Sequence, residues 1–344
     1  MEKNYSIFPK IYPVLQNLSF LKKRRAMPPI LFILVLLGSS ASHGSEVPYY
    51  SGNDGIVTVE QASDRIIIFK SDTDWNLDKN IIWSWSVSNS PAIKPVDYHY
   101  FHMLSDAKRV SNGSCVIICA SGGGIALIRL SDKQTLFYAR AEGNTHSVEL
   151  LPDGNLVSAS STGGYLRLFS TDPSVSQFPD QVKSVKYPFA DAHGVTWDQR
   201  GEQLWAVGGK TLKRFAYNHD RKNPALTLLA TYNIPDIEGH DLFPLPGKDK
   251  LVVTSSRHVW FFDLKTETFE PFPRLADIDT VKSVSLQSAD GRVIYLVPKV
   301  SWWTDSVSLL DGESQTRTGA KFYKARWWVP NEFSYGIPVD DLRK

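Results

Sequence analysis

Four segments of this chain repeat one pattern: a strand opened by His or Lys, a polar turn, a second strand, a short loop and a third strand. The openers are His146, His193, His240 and Lys282, so the units recur every 42 to 47 residues. Turn residues fall at matching places, Pro152-Asp153-Gly154 in the first unit and Asp290-Gly291 in the fourth. More variable fourth strands follow, at residues 182–187 and 269–272. Self-similarity at a period of about 20–50 residues marks repeat architectures, and four antiparallel strands per unit is a propeller blade. A 12% aromatic content, with many β-branched residues, suits half-buried pleated strands.

The chain ends set the blade count. A less regular unit precedes the four, with strands at residues 106–110, 115–119, 125–130 and 136–139. Residues 56–60, 65–69 and 81–85 supply the second, third and fourth strands of another blade. Its missing first strand lies at the far end of the chain, residues 323–328. Joining the two ends in one blade closes a ring and removes open sheet edges. The expectation is an all-β, six-bladed propeller forming one domain over residues 45–344. Residues 89–105 leave room for an irregular seventh blade.

The first 44 residues read as a targeting segment. Lys22, Lys23, Arg24 and Arg25 precede an apolar run over residues 29–38, and small residues follow. That order is a secretory signal peptide, and its apolar run is about half of a bilayer span. An exported protein, periplasmic or secreted, is expected, with no stable membrane span after cleavage. The alternative is a short uncleaved anchor.

Charge follows from that division. Six of the 38 Lys/Arg but only one of the 36 Asp/Glu lie in residues 1–44. The remainder holds 32 basic and 35 acidic side chains, formally −3. The sequence pI of about 8.3 therefore belongs to the leader, and no electrostatic footprint for nucleic acid remains. The two cysteines, Cys115 and Cys119, sit about 13 Å apart on one strand, beyond the roughly 7 Å Cα limit of a disulfide. They read as small buried hydrophobes, and the protein as a monomer.

In a propeller the first strand of each blade lines the central channel, and the loops between second and third strands lie on the same face as its start. That face would gather Asp106, His146, His193, His240, Lys282 and Arg326. The longest such loop, residues 299–305, adds Trp302 and Trp303. Three readings compete. The histidines are structural and the module is non-catalytic. Alternatively they hold a divalent metal, since His146, His193 and His240 resemble a three-His site for Zn²⁺ or Mn²⁺. Or the mouth binds a small anionic or carbohydrate-like ligand: Lys282 and Arg326 neutralise a carboxylate, Trp302 and Trp303 stack on a sugar, and a neutral His accepts a proton. Candidate catalytic residues are His146, His193, His240 and Arg326. No catalytic signature of a hydrolase, metalloprotease or phosphate-binding loop occurs, so no cofactor is certain and an enzymatic role stays open.

The motifs Thr145-His-Ser-Val-Glu-Leu, Ala192-His-Gly-Val-Thr-Trp, Gly239-His-Asp-Leu-Phe and Ser301-Trp-Trp-Thr-Asp resemble those of a family of exported bacterial propellers of unknown function. The resemblance covers about residues 55–330 and implies the fold without an activity. More loosely, the His-lined channel is similar to propellers among polysaccharide lyases, including a Mn²⁺-dependent oligogalacturonate lyase group. No residue matches those enzymes position by position, so the similarity is one of fold.

Overall fold

The computed structural model describes residues 52–329, and the signal segment expected at residues 1–44 lies outside them. Six four-stranded antiparallel sheets form the six blades of a β-propeller. Blade I is the composite one: its inner strand Phe322–Trp327 pairs with Gly55–Glu60, which continues to Arg65–Lys70 and Ile81–Ser86. The inner strands of blades II to VI are Leu104–Val110, Thr145–Leu150, Ala192–Asp198, Asp241–Pro244 and Ser283–Leu286. Residues 89–105 hold no seventh blade. They form the short helical turns Val87–Asn89 and Pro95–Phe101 and then enter the inner strand of blade II.

Both faces of each sheet pack against neighbouring blades, which is why these strands tolerate unbroken apolar runs. In blade II, Cys115, Ile117 and Cys119 point into the core shared with blade III, beside Val148 and Leu150. Val116, Ile118 and Ala120 point the other way, toward Val57 and Trp85 of blade I. Both cysteines are fully buried and free.

A local device recurs where the chain enters the inner strands. Two residues before the opener, the backbone turns left-handed at Met103, Asn144, Asp191, Glu238 and Thr280, with φ between 51° and 59°. Asn and Asp tolerate that region, whereas Met, Glu and Thr rarely adopt it. A register shift then follows in blades II, III and IV, so that Ser105, His146 and His193 are bulged residues without a partner in the ladder. In blades V and VI the His240 and Lys282 amides bond the Thr254 and Leu296 carbonyls just ahead of the strand. Bulges re-aim side chains, and here they turn the openers toward the axis.

Burial raises the Cys115 thiol to about 11 and the Cys119 thiol to about 12. The thiolate is the reactive form. Neither cysteine should therefore react with an aromatic disulfide reagent at pH 8 in the native protein, and both should react once guanidinium unfolds it. Rapid labelling of the folded protein would contradict this packing.

Candidate functional site

Strand register defines two levels along the axis. At the level of the openers stand Ser105, His146, His193, His240, Lys282 and Tyr323. The sequence expectation of Asp106 and Arg326 at this level is corrected. Asp106 lies one residue deeper and Arg326 three residues deeper, because each bulge absorbs a residue that counting along the strand overlooks. Ser105 and Tyr323 take their places.

The deeper level is a charged plug. Asp106, Lys108, Glu149, Asp241, Lys324 and Arg326, three acids and three cations, are all at most 3% exposed. Arg326 grips Asp241 with two parallel bonds of 2.8 and 3.0 Å, bonds Asp106 at 2.9 Å, and lies over the Phe243 ring. Lys324 bonds Asp241 at 3.0 Å, and Lys108 bonds Glu149 at 3.3 Å. Burial works against ionising Asp106, yet Arg326, Lys324 and Lys108 hold its carboxyl well below the usual range. Burial pushes Glu149 the other way, upward, despite Lys108.

The same side chains serve the backbone. The inner edge of each inner strand has no neighbouring strand, so its polar groups need other partners. Lys324 donates to the His146 carbonyl at 3.1 Å, Lys108 to that of Val195, and Ser105 to that of Thr145. Ser283 and Ser285 accept from the Ala325 and Trp327 amides at 3.0 Å. The plug thus closes the channel beneath the openers.

Above it, five openers form a continuous chain of contacts. The Tyr323 hydroxyl is bonded to His146 Nδ1 at 3.0 Å. The His146 and His193 rings stack at 4.5 Å, and His240 meets His193 edge-on at 5.2 Å. Lys282 Nζ donates to His240 Nε2 at 3.3 Å. Gly194 permits this approach, since a Cβ there would lie 2.9 Å from that of Leu242 in the next blade.

Three equivalent histidines thereby acquire different states. Burial holds His146 well below the ordinary imidazole value, assisted by His193 and Lys324. Burial and the adjacent Lys282 bring His240 down to about 3. An ammonium only donates, so His240 Nε2 is the acceptor and its proton sits on Nδ1, a buried atom without a partner among the described residues. His193 differs. Its Nδ1 lies 2.9 Å from the Asp191 backbone carbonyl and 3.2 Å from the Asp191 carboxylate. A carbonyl only accepts, so the Nδ1 proton is fixed and Nε2 carries the lone pair.

Lys282 completes the level. Burial lowers its ammonium, and Lys324 lowers it further, while Glu238 and Asp191 partly restore it. Each plug cation has a carboxylate within 4 Å, whereas Lys282 has none among the described residues.

The expected tryptophan platform is not a pair. Trp302 is 45% exposed and donates to Gln61 at 3.0 Å, and Gln61 in turn bonds the Leu104 carbonyl beside Ser105. Trp303 is half-buried beneath the Lys321 ammonium. Nor do the three histidines fit a metal: His240 Nε2 faces an ammonium, and two of the rings stack face to face. Among the described residues no group of three His, Cys, Asp or Glu is disposed to hold an ion. A separate cleft of about 470 Å³ includes Gly154, which follows the far end of an inner strand, and has no titratable lining residue.

Asp191, Tyr323, Lys108, Glu149, Asp241 and Lys324 were not among the residues the sequence put forward. Four of them sit one or three places after an opener, so spacing from Ser105, His146, His240 and Tyr323 would have found them once the bulges were known.

A model for a family of unknown function, DUF6528, matches residues 30–342. No curated protein matches. Among solved structures, the hydrazine synthase of Kuenenia stuttgartiensis is similar at 14% identity and a TM-score of 0.42, over 63% of this chain and 64% of that one.

Acid should loosen the fold in a window set by the histidines. A folded-state imidazole held at about 3, as for His240, binds fewer protons than its unfolded counterpart below about 6.5. Stability is then fully present above that value and declines as pH falls through the window. Replacing His240 by Gln should flatten the fall between pH 6.5 and 5 by roughly 1.4 kcal/mol per pH unit, read from urea midpoints. Identical slopes for the two proteins would show that His240 is not held neutral.

Proposed function

We propose that this chain, which belongs to the family of unknown function DUF6528, binds a small anionic or carbohydrate-like ligand at the blind mouth above His193, His240 and Lys282. One observation carries this reading: Lys282 is a largely buried cation whose printed polar partner is a neutral imidazole. A buried ammonium without a counter-ion is costly, and a ligand carboxylate placed against it relieves that cost. The left-handed residues ahead of the openers support the reading as well. Strain repeated at Met103, Glu238 and Thr280 is held where side chains must be aimed.

Trp302 contributes an exposed ring at the rim, as a sugar face would require, and its indole N–H is already committed to Gln61. Arg326 drops out as an anion contact because both of its faces are taken by Asp106 and Asp241. A metal is disfavoured on geometry, since Lys282 occupies the His240 nitrogen that would bind it. A purely structural role is favoured for His146, which is buried, stacked and bonded to Tyr323. Export, as the N-terminal segment predicts, would put such a mouth within reach of acidic glycans.

Calorimetry against galacturonate and glucuronate oligosaccharides tests the proposal. Replacing Lys282 by Met should weaken binding about 10- to 100-fold, the worth of a charge-assisted bond. Lys282→Arg should retain part of it. Equal affinity of the Met variant and the parent would refute the site.

A further inference from the structure

We infer that His193 is a general base, positioned by Asp191, that removes the proton α to the carboxylate of a ligand anchored on Lys282. This inference rests on the mouth being the ligand site, and it adds a reaction to that reading. The argument begins with the difference among three equivalent rings. His146 Nδ1 is taken by Tyr323, and His240 Nε2 is taken by Lys282. His193 alone of the three has both a carboxylate and a backbone carbonyl at Nδ1 and a lone-pair nitrogen, Nε2, with no partner among the described residues.

That arrangement is what proton removal needs. The carbonyl fixes the tautomer, so the basic nitrogen is always Nε2. The Asp191 carboxylate at 3.2 Å stabilises the imidazolium formed when the proton arrives. Burial acts to raise the Asp191 carboxyl, but its bond to His193 and the nearby imidazoles prevail, and it is held below the ordinary value. It is therefore a carboxylate at neutral pH. The His193 side chain is 11% exposed, enough to meet a ligand and little enough to exclude bulk water. The left-handed backbone at Asp191, φ 55°, aims the carbonyl at the ring.

His240 separates His193 from Lys282, touching the first edge-on and accepting a bond from the second. A carboxylate on Lys282 thus places its α carbon over His240 and its α hydrogen toward His193. The cation also lowers the cost of the enolate that forms. In the step, the α C–H bond breaks, its proton moves to His193 Nε2, and its electron pair passes into the carboxylate. Where the β carbon carries an ether oxygen, as in a 4-linked uronate, that pair returns to form C=C and the C–O bond breaks. The leaving oxygen takes up one proton, and the base returns the one it removed to solvent. Atoms and charge balance without an oxidant or a metal.

The full-length protein, incubated in D₂O with oligogalacturonate, alginate and chondroitin oligosaccharides, tests this. Three quantities are read for each probe: affinity, deuterium uptake at the α carbon, and the ultraviolet absorbance of an unsaturated uronate. The expected result is exchange or elimination with at least one bound probe. His193→Gln should lower the rate at least 100-fold with affinity changed less than threefold. Asp191→Asn should lower it about tenfold and displace the basic limb of the pH profile, a change that a merely structural residue would not cause. A bound uronate that neither exchanges nor eliminates overturns the inference and leaves the binding site standing. An unaltered rate in the His193 variant overturns the assignment of the base. No binding to any probe overturns the site and the reaction together.

Discussion

The guanidinium of Arg326, held between Asp106 and Asp241 on the axis, is the contact on which the rest of the mouth depends. Desolvating a charge costs several kcal/mol, and only good geometry with further hydrogen bonds offsets it. Here the geometry is a two-bond grip on one carboxylate, a shorter reach to a second, and an aromatic face beneath. The three residues come from blades I, II and V, and Arg326 sits on the strand that completes the ring from the C-terminal side. Closing the propeller and filling its channel are therefore one event. Lys324 and Lys108 extend the plug and carry its charge onto the backbone carbonyls of blades III and IV.

The plug matters to function because it turns a channel into a floor. Above it, near six-fold repetition is broken in a specific way. Blades III, IV and V offer a histidine at one position, yet Tyr323, Asp191 and Lys282 each engage a different one. One ring packs, one stands with its basic nitrogen open, and one supports a cation. Repetition supplies the placement, and the irregular neighbours supply the chemistry.

Much of the fold was legible in the sequence. The 47-residue spacing of His146, His193 and His240 marked the blade frame, and the unmatched strand near Tyr323 showed how the ring closes. Cys115 and Cys119 were rightly placed in the core, because an apolar run between polar turns suits a sheet buried on both faces. The site was legible only in part. The histidine level appeared, but Asp106 and Arg326 were set at the wrong depth, since a bulge has no residue signature and shifts everything after it by one. The plug was hidden for another reason: Lys108, Glu149 and Lys324 read as ordinary surface charges on a strand, and only cross-channel pairing makes them interior. Asp191 was overlooked because its backbone carbonyl, which no side-chain pattern reveals, fixes the His193 proton.

The account stands on Arg326 being the buried charge that holds the axis together, and replacing it by Met examines that directly. Urea unfolding should show a loss of roughly 3–5 kcal/mol, because Asp106 and Asp241 are left buried and uncompensated. Adding Asp241→Asn to the Met variant should recover part of that loss, since one stranded charge is then removed. An unchanged midpoint for the Met variant, or a further fall in the double variant equal to that of Asp241→Asn alone, would contradict the role given to this network.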